Sequence, residues 1–147
     1  MLIHPRISFR NPFVNTEESS HGTSMAGLIA SRPNNSMCSA GVAYDVNLGH
    51  IRILSGSKFV DDQVEAKALS FAREDIDIYV LGYGSIQLGE RNLRTRAKKA
   101  VQDGTSEGRG GKGNIFLAPG GNSGISQKSC SLDEIVNSIY TIRFKMF

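Results

Sequence analysis

Ile76-Asp77-Ile78-Tyr79-Val80-Leu81-Gly82-Tyr83-Gly84 is the stretch that decides the fold class. Ile76 to Leu81 is a short apolar run rich in β-strand formers, and the glycines after it end the strand. On its amino side, Asp61 to Ala72 sets Val64, Ala68, Leu69, Phe71 and Ala72 at helical spacing. Asp61 and Asp62 stand where a helix amino terminus favours negative charge. On its carboxyl side, Arg91 to Asp103 puts Leu93, Ala97, Ala100 and Val101 on one helical face, with Gly104 as the closing residue. Further out, Val46 to Leu54, Ile115 to Ala118 and Ile139 to Ile142 read as strands, and Ser24 to Ser31 reads as a buried helix stopped by Arg32-Pro33-Asn34-Asn35. Strands alternating with helix-length connections predict an α/β fold, a parallel sheet flanked by helices, because a parallel pairing needs a crossover. Ligands in such sheets sit beyond the carboxyl ends of the strands, so the loops after Leu81 and after Ala118 are the expected site.

The bulk properties narrow the class. A chain of 147 residues with 39% hydrophobic content can bury one core, which excludes a disordered chain and argues against two full domains. Much of the net charge of +3 comes from Arg91, Arg94, Arg96, Lys98 and Lys99, read here as a solvated helix face, so no nucleic-acid partner is expected. No apolar run reaches the length of a membrane span, and Met1 to Asn15 lacks the apolar centre of a signal peptide. Cys38 and Cys130 could form one bridge, join a metal site or remain thiols. Gly82-Tyr83-Gly84 opens no clean helix, and no lysine with serine or threonine follows Gly108 to Gly113, so a phosphate-binding loop is not supported.

Ser20-His21-Gly22-Thr23-Ser24-Met25-Ala26-Gly27 places a histidine directly before a helix of small residues, where packed backbone can hold a general base. The segment resembles the histidine block of the subtilisin superfamily, H-G-T-x-x-A-G, in which the histidine takes a proton from a serine nucleophile. Gly22-Thr23-Ser24-Met25-Ala26 also looks like the serine block of that superfamily, but no proline follows. Further segments from Asn34 to Tyr44, Gly49 to Leu54, Gly108 to Phe116 and Asn137 to Ile142 resemble the kexin/furin proprotein convertases in order and spacing. The likeness spans Ser20 to Ile142, with the loop from Ser55 to Asp62 leaning toward the neuroendocrine convertase type two branch.

What the resemblance implies can be stated residue by residue. His21 is the catalytic base, and Asn122 in Ala118 to Gly124 supplies the oxyanion donor unless an extra residue in that loop puts Gly121 there. Gly82, Tyr83 and Gly84 form the wall of the specificity pocket, and Asp133 and Glu65 match acidic positions that bind basic substrate side chains. The acids expected after that wall are replaced by Ile86, Gln87 and Leu88. Asn35, with backbone oxygens of Arg32, Met37 and Ser39, matches part of a calcium shell, while Lys128 stands where a second calcium site needs a carboxylate. The partners of Cys38 and Cys130 in the family lie elsewhere, so the two are not expected to bond to each other.

The resemblance therefore implies a partial catalytic domain over residues 20–147 after an irregular segment at 1–19, with a sheet incomplete at both ends. The implied activity is a calcium-dependent serine endopeptidase of the secretory pathway that processes precursor proteins at basic sites. No aspartate precedes His21 and no serine block follows Ile142, so the isolated chain is expected to be inactive. The alternative is a non-catalytic relative that acts by binding.

Overall fold

The computed structural model describes residues 2–4, 20–37, 39–53, 61–83, 95–120, 135 and 137–144, with the side chains of 2–4 and 20 left aside. Among these, five strands and three helices follow in the order β1 (Leu2–His4), α1 (Ser20–Ala30), β2 (Asn47–Gly49), α2 (Asp62–Leu69), β3 (Ile78–Val80), α3 (Thr95–Gly111), β4 (Ile115–Pro119) and β5 (Ile142–Phe144). The sheet order is β2-β1-β3-β4-β5. β3 pairs with β4, and β4 with β5, in parallel, which bears out the α/β reading. The exception is β1. It pairs antiparallel with both β2 and β3, and thus forms a strand inside a segment expected to be irregular.

The core forms where α3 lies on β3 and β4. Tyr79 and Phe116 are register partners, and their rings stack at 4.8 Å. Leu69, Ile76, Leu81, Ala97, Val101 and Ile135 close around them. Burial raises the pKa of the Tyr79 phenol, which donates to the Phe71 carbonyl at 2.8 Å.

Gly104 does not end α3. It lies within the helix because a Cβ there would stand 2.8 Å from Cζ of Phe116, so its bare backbone is what allows the helix to approach the strand. The helical course stops instead at Gly108, and Arg109 (φ 56°) and Gly110 (φ 64°) turn left-handed. This turn is tied to the end of the α2 to β3 connection. Arg109 Nε meets Asp77 Oδ1 at 2.6 Å, the Gly110 amide donates to Glu74 Oε2, and the buried Asn114 amide group donates to the carbonyls of Arg73 and Ile76.

Helix boundaries depart from the sequence reading in ways the hydrogen bonds explain. Asp61 caps α2, accepting from the amides of Gln63 and Val64. Asp62 turns away from its own helix and accepts from the amides of Arg96 (3.1 Å) and Ala97 (2.9 Å), so it caps α3 from outside. The first turn of α3 has no acid of its own, and a carboxylate from α2 serves its dipole. The last strand begins later than expected, at Ile142, because Thr141 donates its hydroxyl to the Ile135 and Ser138 carbonyls and holds the preceding residues in a turn. α1 is half-exposed rather than buried, with Leu28 at 70% exposure.

Replacing Asp62 with alanine strands two amides at the start of α3 and is expected to cost about 1–2 kcal/mol. Asp62→Asn keeps an acceptor and retains most of that stability. Urea unfolding of both variants provides the measurement.

Candidate active site

α1 begins at Ser20, so His21 lies in the first turn of the helix and not ahead of it. His21 is exposed. Met25 stands one turn further on and shares the same face of the helix. Both side chains point at Gly82, two residues past β3. A Cβ on residue 82 would stand 2.6 Å from Met25 Sδ and 3.9 Å from His21 Cε1. A glycine at 82 thus lets the histidine helix close onto the carboxyl end of the sheet. β3 and β4 end side by side, joined by the Leu81 amide donating to the Leu117 carbonyl at 2.9 Å. His21, Gly82 and the adjoining carboxyl ends of β3 and β4 therefore lie on one rim, the one where ligands of parallel sheets bind.

Glu65, which the resemblance matches to an acidic position, lies inside the fold. It is fully buried on α2, and its Oε1 accepts from the Tyr83 hydroxyl at 2.8 Å. In this arrangement Glu65 anchors Tyr83, and Tyr83 carries the loop that follows Gly82. Asn35 lies in an exposed turn between Asn34 and Ser36, both left-handed, and its side-chain oxygen accepts from the Met37 amide at 2.8 Å. That turn offers neutral oxygens, which suit a hard cation in kind, but a calcium shell is ordinarily completed by carboxylates. Among the described residues no group of three acidic, histidine or cysteine side chains gathers at one point. Gly84, Gly121, Asn122, Asp133, Cys38, Cys130 and Lys128 lie outside the described residues.

Two residues near the start of the candidate site escaped the sequence reading. Met25 was legible in principle, because i and i+4 share a helix face. His50, beyond β2, has its Nε2 3.8 Å from where a Cβ on Gly22 would stand, a proximity only the tertiary fold creates. Local desolvation, reinforced by the like charge of Arg52, lowers the His50 pKa below the ordinary imidazole value.

A sequence profile of the Subtilase family matches residues 7–142. The chain belongs to this family. It is 41% identical over 129 residues to Furin-like protease 1, isoform 1-CRR, of Drosophila melanogaster, covering 86% of this chain and 12% of that protein. It is 42% identical over 129 residues to proprotein convertase subtilisin/kexin type 6 of Homo sapiens, covering 86% of this chain and 13% of that protein. It is 40% identical over 130 residues to Endoprotease bli-4 of Caenorhabditis elegans, covering 87% of this chain and 14% of that protein. This subtilase chain spans about an eighth of the length of the Drosophila relative. Kinship with the kexin/furin proprotein convertases, expected from the motifs, is thereby shown. Among the described residues, no helix of the subtilase chain is long and apolar enough to cross a membrane.

Two outcomes follow from this geometry. Tyr83→Phe removes a donor from a buried carboxyl and is expected to cost about 1–3 kcal/mol, read as a lower thermal midpoint. His50 has its folded pKa below its unfolded one, so the unfolded chain takes up the proton first. The stability linked to His50 is complete above the ordinary imidazole value and is lost as pH falls through it. His50→Gln should flatten the pH dependence of the urea midpoint between about pH 7 and pH 5.

Proposed function

We propose that this chain is the histidine-bearing part of the catalytic domain of a serine endopeptidase that processes precursor proteins at basic residues in the secretory pathway. The observation that carries this reading is the convergence of His21 with Gly82 and the adjoining ends of β3 and β4. An imidazole in the first turn of a helix, beside a loop able to line a bound peptide, is suited to take a proton from a nucleophile at that rim. Asn122 is the proposed oxyanion donor and Asp133 the proposed acid of the primary pocket, with Gly82, Tyr83 and Gly84 forming the pocket wall. Glu65 acts by holding Tyr83. Calcium at the turn around Asn35 would need acidic oxygens from outside the described residues, and no catalytic step is derived through it.

A second reading, a non-catalytic binding protein, is favoured by Ile86, Gln87 and Leu88, which replace the acids that select paired basic side chains. A chimera separates the two. Residues 20–144 of this chain replace the matching segment of the Drosophila furin-like protease, and cleavage of a fluorogenic Arg-Arg substrate is measured. The enzyme reading expects cleavage that falls about 10⁴-fold or more in the His21→Ala chimera. A folded chimera that binds substrate without cleaving it, or one indifferent to His21→Ala, supports the binder. The isolated chain is expected to give no labelling with a serine-reactive fluorophosphonate, and labelling would refute the assignment of the nucleophile to a segment outside it.

A further inference from the structure

The packing of α2 on α3 leaves an open groove of about 300 Å³ that none of the described candidate site residues lines. Glu65 and Leu69 turn the buried face of α2 into the core, while Gln63, Lys67 and Ser70, spaced at i, i+4 and i+7, turn the other face to the groove. From the facing elements come Arg73, Arg96 and Lys99. Among the described residues four cations thus line the groove with one carboxylate, Asp103, and that carboxylate is engaged by Lys99 at 2.8 Å. Arg73 is shared with Glu74 and Glu107. Lys67 and Arg96 make no ion pair with any described residue.

We infer that this groove binds a sulfated polysaccharide chain. The charge calls for a polyanion, since a run of cations along a concavity focuses its field there. The lining distinguishes among polyanions. Among the described residues its only apolar side chains are Ala66 and Ala100, and the rest of its apolar surface comes from the stems of the long polar side chains, so no large side chain offers the aromatic or aliphatic anchor on which protein partners depend. Among the described residues no aromatic side chain lines it on which the bases of a single strand could stack. An open groove edged by guanidinium and ammonium groups suits a polymer whose charged groups all lie on its outside. Arginine forks match the tetrahedral oxyanion of a sulfate ester. This site is separate from the rim that holds His21 and stands whether or not that rim is catalytic.

The test uses the full chain and a fluorescein-labelled, fully sulfated heparin octasaccharide, read by fluorescence anisotropy across a salt series. Binding that weakens steadily with salt is expected. In the Lys67→Gln/Arg96→Gln variant the affinity should fall about tenfold, with the log–log salt slope shallower by about two units. Both positions are exposed, so the variant keeps its fold, which circular dichroism confirms. Lys67→Arg/Arg96→Lys, which keeps the charge, should keep the salt slope of the parent, and Lys112→Gln, which removes a cation from outside the groove, should bind as the parent does. Unchanged affinity in the Gln/Gln variant, or an equal loss in Lys112→Gln, overturns the site. Equal affinity for an oligo-glutamate or a single-stranded DNA of matched charge overturns the polysaccharide assignment.

Discussion

The stack of Tyr79 on Phe116, with α3 laid against it through the bare backbone of Gly104, is the contact on which the rest depends. It sets β3 and β4 in register and brings their carboxyl ends level. A larger residue at 104 would hold α3 off the strand and open the core at the point where it is densest. Around this contact two sets of polar bonds join separate elements. Asp62 of α2 serves α3, and Asn114 at the head of β4 serves the segment leading to β3. The layer of α2 and α3 is therefore a single unit, and the rim it supports has its geometry set from below.

That support explains how an exposed histidine can be well placed. His21 gains position from helix α1 and from the glycine at 82, which admits both His21 and Met25 to the end of the sheet. Tyr83, the next residue, is steadied by a carboxyl buried beneath it. The same helix α2 that hides Glu65 on one face offers Lys67 to solvent on the other. Two separate roles thus coexist on one short helix, because its two faces see different dielectric environments.

Much of the candidate site was legible before any coordinates. The H-G-T-x-x-A-G run identified His21, and the run from Ile76 to Gly84 identified both a strand and the loop that faces the histidine. What misled was composition read without context. Gly104 has the character of a helix terminator, yet it serves as a close-packing residue, because local propensity cannot see the ring of Phe116 on the neighbouring strand. Ile139 to Ile142 has strand character, but hydroxyl bonds from Thr141 hold its first residues in a turn. Glu65 carries the charge of a substrate-binding acid, and burial turned it into an anchor for Tyr83.

By itself the sequence determined the α/β class, the order of the main helices and strands, and the identity of the histidine, since these depend on periodicity and on short contiguous motifs. Only the tertiary structure decided where β1 inserts, that Asp62 caps a helix other than its own, that His50 stands near the histidine helix, and that scattered cations line one groove. Each of these joins residues far apart in the chain, and a contact made by packing leaves no periodic trace along it.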